Sequence, residues 1–429
     1  MALLRSLPLQ LMLMLMFLHP SLQEVDDEFK LNPTDQAALL AIRNSLTDLP
    51  GTDFFSSWDF AAPDPCSSFE GVTCSLSPSL SPATASLRVT SLTLGTGLSN
   101  SRGLAGSLSP DLANLSELTQ IILNPGFVTG PIPPELGRLS NLQVLSLTNN
   151  RLTGSIPDTL SALWKLHTLD VSCNQLAGLI PPGITELTQL KVLVLASNRF
   201  SGALTNFPAS RQLLHMDLKL NQLMGPLPSL PSTLRYLSLS GNAMWGPLNG
   251  LEALSDLVYL DLAKNHFGGA IPVSLLRPSL SSLFLQRNNF TGAIPAVPPR
   301  TDGGPTTPYG EGSVMDLSHN SLTGELPAVL SSVEMLFLNN NRFTGSVPEE
   351  YTRSVCQGRT KTLYLQHNFF SGFPLKSAAA LPDNVDVCLA YNCMVPPVGL
   401  ASCPESAGSQ LSRPAVQCSV FHNGGQFEG

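Results

Sequence analysis

Leu142-Gln-Val-Leu145-Ser-Leu147-Thr-Asn-Asn150-Arg-Leu152-Thr-Gly154-Ser-Ile156-Pro157 is the stretch on which the fold turns. It returns as Leu166-x-x-Leu169-x-Val171-x-x-Asn174-x-Leu176-x-Gly178-x-Ile180-Pro181, and again as Leu190-x-x-Leu193-x-Leu195-x-x-Asn198-x-Phe200-x-Gly202. Asn150, Asn174 and Asn198 stand 24 residues apart. A unit of that length cannot bury its own apolar side. Stacked copies share one core, and each adds a short strand to a curved parallel sheet. The pattern predicts an α/β repeat solenoid, which grows without splitting its core and so overrides a domain count based on length.

Working outward, the asparagine recurs at Asn221, Asn242, Asn265, Asn288, Asn320, Asn341 and Asn368. Two less regular repeats precede it. The first is Val89-x-x-Leu92-x-Leu94, interrupted by residues 95–103; the second is Leu118-x-x-Ile121-x-Leu123, with Gly126 where Asn is expected. The array is therefore placed at residues 89–375, with about twelve repeats and a degenerate strand ending at Asn392. Each ladder asparagine should turn its amide inward, onto backbone groups that the tight bend leaves without partners. The Gly-x-Ile-Pro half should fix the opposite side of the coil. The longest step, from Asn288 to Asn320, holds a Gly- and Pro-rich insertion, Val297–Ser313, expected as a surface loop.

The ends differ from the middle. Arg5 precedes an apolar run, Leu7–Leu18, too short to span a bilayer and shaped like a secretory signal peptide, here assigned to residues 1–23. Residues 32–74 read as an N-terminal cap. Thr34 or Asp35 would start a helix with Ala38, Leu39, Ile42 and Leu46 on one face, and a Cys66–Cys74 bridge would pin it. Ser75–Ser86 reads as a linker, residues 376–418 as a cysteine-containing C-terminal cap, and 419–429 as a tail. Five of the eight cysteines (Cys356, Cys388, Cys393, Cys403, Cys418) lie at or beyond the array's end, the placement expected of disulfides in an oxidising compartment. Cys393–Cys403 is the local pairing expected, and Cys388 has Cys418 or Cys356 as alternatives. Cys173, in mid-array, is expected as a buried thiol. Asn114-Leu-Ser116 and Asn289-Phe-Thr291 are glycosylation sequons, consistent with secretion.

Composition excludes some classes. The formal charge of −8 and the lack of any basic cluster along the chain argue against a nucleic-acid surface. No phosphate-cradling lysine loop, HExxH or Gly-x-Ser-x-Gly elbow is present, so no enzyme, cofactor or metal site is expected. His319 and His367 precede ladder asparagines, where exposed polar side chains are expected. Asp170, Asp217, Asp261 and Asp316 occupy the middle exposed position of their strands, a frequent place for Asp in such repeats rather than an acid–base set.

The capping helix, Trp58, the Cys66…Gly71-Val72-Thr-Cys74 pair and the Leu-x-x-Leu-x-Leu-x-x-Asn-x-Leu-x-Gly-x-Ile-Pro phrase together resemble the plant-type extracellular leucine-rich repeat proteins. These comprise receptor-kinase ectodomains, receptor-like proteins and polygalacturonase-inhibiting proteins. Phe69 stands where that family usually has Trp. The resemblance implies a right-handed superhelix with a parallel sheet on the concave face, short helical turns on the convex face, and disulfide-bonded caps. It also implies recognition of a protein or peptide, with a membrane receptor kinase or a microbial wall-degrading enzyme as partner. Inhibition of such an enzyme and a structural wall role are the alternatives.

The variable positions carry the rest. In each strand, the residues beside the inward leucines face out of the sheet, and strands about 4.8 Å apart align them in columns. One column ends in Phe284, Asp316, Phe337 and Tyr364, and its neighbour carries Tyr236, Tyr259 and Met335. Aromatics thus gather from the sixth repeat onward, with Lys264 and Arg287 expected on the same strands as charge partners. Exposed aromatics rimmed by charge mark interaction sites. A glycan at Asn289 would border this one.

Overall fold

The computed structural model describes residues 30–61, 65–77, 85–95, 103–207, 212–296, 308–375, 381–395 and 403–422. The signal-peptide assignment and most of the linker, the 95–103 interruption, the insertion and the tail lie outside these residues. A 14-stranded sheet runs the length of the array, from Val72–Leu76 to Asp386–Cys388. Its first pair is antiparallel, and every later pair is parallel. The repeated leucines explain this: Leu145, Leu169, Leu193, Leu237, Leu260 and Leu283 are fully buried, one per coil. A second, 8-stranded sheet from Ala177–Gly178 to Arg342–Phe343 lines one flank, and a 4-stranded sheet precedes it. The glycine of the phrase has a left-handed φ of 80° at Gly154, and proline then leads into a 3-10 turn such as Asp158–Ala162.

The ladder asparagines turn inward. The Asn265 amide nitrogen donates to the carbonyls of Leu239, Leu262 and Ala263 at 2.9, 3.2 and 3.3 Å, and its oxygen accepts the Met244 N–H at 3.0 Å. The same pattern holds at Asn174, Asn198, Asn221, Asn242, Asn288, Asn320, Asn341 and Asn368. The residue before each is left-handed, from Asn149 (φ 54°) to Tyr391 (φ 57°).

Helix α1, Pro33–Ser45, covers the first repeat with Ala38, Leu39 and Ile42. Its cap is Asn32, whose side chain accepts the Thr34 N–H at 2.9 Å, not Thr34 or Asp35. Asp35 is buried one turn in. It binds Arg88 at 2.9 Å and the Val89 N–H at 2.8 Å, tying the helix to the first array strand. Phe69 stacks on Trp58 with ring centroids 5.1 Å apart, and Cys66 is bonded to Cys74.

At the other end the expected Cys393–Cys403 pairing is wrong. Cys388 bonds Cys403, and Cys393 bonds Cys418. The cause is the path of the returning chain. The Tyr391 N–H donates to the Leu411 carbonyl, and Arg413 donates its N–H to that of Asn392, so the chain crosses the last coil and reaches its edge near Cys393. Arg413 seals this edge between the rings of Phe369 and Tyr391, 4.0 and 4.6 Å from their centroids. Cys356 is left free. Cys173 is a free but exposed thiol, not a buried one, because the left-handed residue before each asparagine points outward.

Asn265→Ala should destabilise the protein by about 1–3 kcal/mol in urea unfolding, since it orphans a buried N–H and three carbonyls, whereas exposed Asn289→Ala should cost under about 0.5 kcal/mol. Mass mapping of non-reduced peptides should recover Cys388–Cys403 and Cys393–Cys418; a Cys393–Cys403 fragment would overturn the cap's topology.

Candidate functional site on the concave face

Strand register sets the columns. Tyr236 pairs with Tyr259 and Tyr259 with Ser282, while Asp261, Phe284, Asp316, Phe337 and Tyr364 follow one another in the neighbouring column. His215, paired with Tyr236, begins the first run. Its ring lies 4.1 Å from Tyr236 and 7° from parallel; Tyr236 lies 4.3 Å from Tyr259 at the same angle. Phe284 continues the run from the next column, 5.6 Å from Tyr259 and tilted. The rings are half-buried by one another, so a ligand would meet their edges and the tyrosine hydroxyls.

The expected single aromatic patch is two. Asp316 separates the four-ring run from Phe337 and Tyr364, which meet edge-to-face at 5.3 Å. Tyr364 also packs against the small core formed by Cys388, Ala390 and Ala407, and so belongs partly to the C-terminal cap. Lys264 and Arg287 are not on the strands. They occupy the left-handed turn positions before Asn265 and Asn288, and both are exposed at the edge of the sheet. Lys264 lines a shallow cavity of about 330 Å³ together with Lys219, Tyr259, Asp261, Phe284 and Gln286. The Gln286 side-chain oxygen there is buried without a hydrogen-bond partner among the described residues.

The aspartates mainly serve the backbone. Asp170, Asp217, Asp261 and Asp316 each accept the N–H two residues on, at Ser172, Lys219, Ala263 and Ser318. Asp217 is buried rather than exposed and also pairs with the Lys219 ammonium at 2.9 Å. Burial pushes the Asp316 carboxyl up, with its hydrogen bonds to Ser318 opposing. His319 stands beside Asn340, and His367 donates from Nε2 to the Ala407 carbonyl at 3.0 Å, so these imidazoles do not converge on a shared ligand. Both sequon asparagines, Asn114 and Asn289, are solvent-exposed.

His215, Lys219 and Gln286 were missed by sequence reasoning. His215 was legible as the residue one repeat before Tyr236 in the same column; Gln286 was not, because burial of its oxygen depends on neighbouring side chains. Burial lowers the His215 pKa, with Asp217 opposing and Lys219 adding. In an NMR titration His215 should therefore protonate below the ordinary value of about 6.5. Tyr236→Ala should uncover the ring and raise that midpoint; an unmoved midpoint would assign the shift to charge rather than burial.

Residues 32–75 match the leucine rich repeat N-terminal domain, and residues 140–200 and 313–333 match leucine rich repeats. A search of curated proteins returns no match. Among solved structures, the chain is similar to the plant peptide hormone receptor RGFR1 in complex with RGF2, at 26% identity and a TM-score of 0.57 over 68% of this chain and 46% of that one. It is similar to a TDR receptor at 28% and 0.59, over 68% and 50%. A plant ice-binding protein shares the fold, at 24% and 0.53 over 82% and 100%. The chain spans about half the length of the two receptors. The chain thus carries a leucine rich repeat N-terminal domain and leucine rich repeats, and its fold is similar to that of the plant peptide hormone receptor RGFR1.

Proposed function

We propose that the chain is a secreted, non-catalytic recognition protein that binds a peptide or protein on the concave face of repeats six to twelve, in plant defence or developmental signalling. The observation that carries this reading is the run His215–Tyr236–Tyr259–Phe284, four rings in successive coils beside a shallow cavity. Ring stacking holds these side chains in place before a ligand arrives, so less side-chain entropy is lost on binding. Similarity to a receptor solved with a peptide hormone supports the ligand class. Tyr236, Tyr259, Phe284, Phe337 and Tyr364 would supply contact area, and Lys264 and Arg287 orientation. A glycan at Asn289 would stand at the border.

Partners captured from plant extracellular fluid should bind Phe284→Ala/Phe337→Ala about 30-fold more weakly or worse, the loss expected of one hot-spot aromatic, with secretion unchanged. Unaltered affinity would remove the site assignment. A captured microbial wall-degrading enzyme that the protein inhibits would move the reading to enzyme inhibition.

A further inference from the structure

The edge where the ladder asparagines turn has a charge pattern the linear sequence hides. Three positions per coil border it: the two before the ladder asparagine, the first of them buried in most coils, and the one after it. From Thr148 to Phe369 none of these positions holds Asp or Glu, in a chain whose net charge is −8. Beyond Lys219, which pairs with Asp217, the same positions hold Lys264, His266, Arg287, His319 and Arg342 in successive coils, with His367 after them. The backbone register fixes their order. Lys264 donates its N–H to Gln286, Arg287 to Ser318, His319 to Asn339 and Asn340 to Gln366.

The side chains of Lys264, His266, Arg287 and Arg342 are exposed and make no hydrogen bond or ion pair among the described residues. Arg287 acts electrostatically on both Asp316 and His319. The nearest aspartates, Asp261 and Asp316, sit half-buried on the strands and are held by the backbone N–H groups of Ala263 and Ser318. Glu325, exposed on the flank, lies beyond the next glycine. Cations in adjacent coils, with their carboxylates withdrawn, repel one another, and an anion laid along them relieves that repulsion.

We propose that this edge is a second contact surface, a cationic strip that takes an acidic segment of the partner peptide. The proposal rests on the concave-face reading above, because the strip continues that site: Lys264 and Gln286 line the cavity and also stand on the strip. A peptide with its apolar side chains against the rings would carry carboxylates across the turn. That continuity favours a peptide over a free polyanion. Asn289, after Asn288, stands on the outer line of the strip, so a glycan there leaves the line of Lys264, Arg287 and His319 open.

The test uses secreted protein with its glycans and a short fluorescein-labelled peptide alternating glutamate and glycine, with the glutamine counterpart as control. The glutamate peptide should bind, the control should bind at least about tenfold more weakly, and added salt should weaken the difference. Lys264→Gln/His266→Gln/Arg287→Gln/Arg342→Gln alters only exposed side chains; it should lose about tenfold in affinity with unchanged thermal unfolding. Wild-type affinity in that variant, or equal binding of the glutamine peptide, would overturn the strip. Polygalacturonate displacing the peptide at equal charge concentration would overturn it in favour of a polysaccharide. Phe284→Ala/Phe337→Ala should keep glutamate-peptide binding, so failure of the strip and failure of the concave site are read separately.

Discussion

The structure depends on one repeated interaction, the inward asparagine amide at the turn between the two sheets. Each amide donates to the last strand of the preceding coil and to its own strand, and accepts an N–H from the preceding coil's flank. Asn174, for instance, reaches the Leu147 and Val171 carbonyls and the Leu152 N–H. A backbone bending this sharply would otherwise bury donors and acceptors unpaired, at about 1–3 kcal/mol each. The bond also requires the residue before it to be left-handed, which is tolerated from Asn149 to Tyr391. Each such residue costs of order 1 kcal/mol relative to glycine, a cost the buried amide offsets.

Where asparagine is absent, the exception has a steric reason. A Cβ on Gly126 would lie 2.7 Å from both the Asn150 side-chain oxygen and the Leu104 carbonyl. Asn150 reaches back to bind the Val128 N–H, so the second coil is sewn by its neighbour's asparagine and leaves no space for its own side chain. The ladder therefore begins at the third coil without a break in the core.

Most of the architecture was legible because it depends on periodicity. Spacing of 24 gave the coil, and alternation within each strand gave the columns in which Tyr236, Tyr259, Phe284 and Phe337 do align. What was not legible depends on where separated segments cross or on how side chains share space. The cap disulfides follow from a chain that returns over the last coil. Cys173 looked like a ladder residue, but its φ of 55° turns it out. Lys264 and Arg287 looked like strand residues for the same reason. Tyr364 looked like its column mates, yet the cap lies against it.

A chain without a basic cluster in its linear sequence can still bring cations together on its surface. In a solenoid, residues about 23 apart in the chain are neighbours in space, so a cationic surface needs no basic run. Lys264 and Arg287 are separated by 22 mostly neutral residues, yet they stand in adjacent coils. The asparagine bond places both at the boundary between the aromatic face and the flank, and the left-handed turn sends their side chains outward. The scaffold, the aromatic columns and the cationic edge therefore share one cause. The aromatic columns can vary because the leucines behind them do not, and the cations can stand unpaired because the amide between them has already satisfied the backbone.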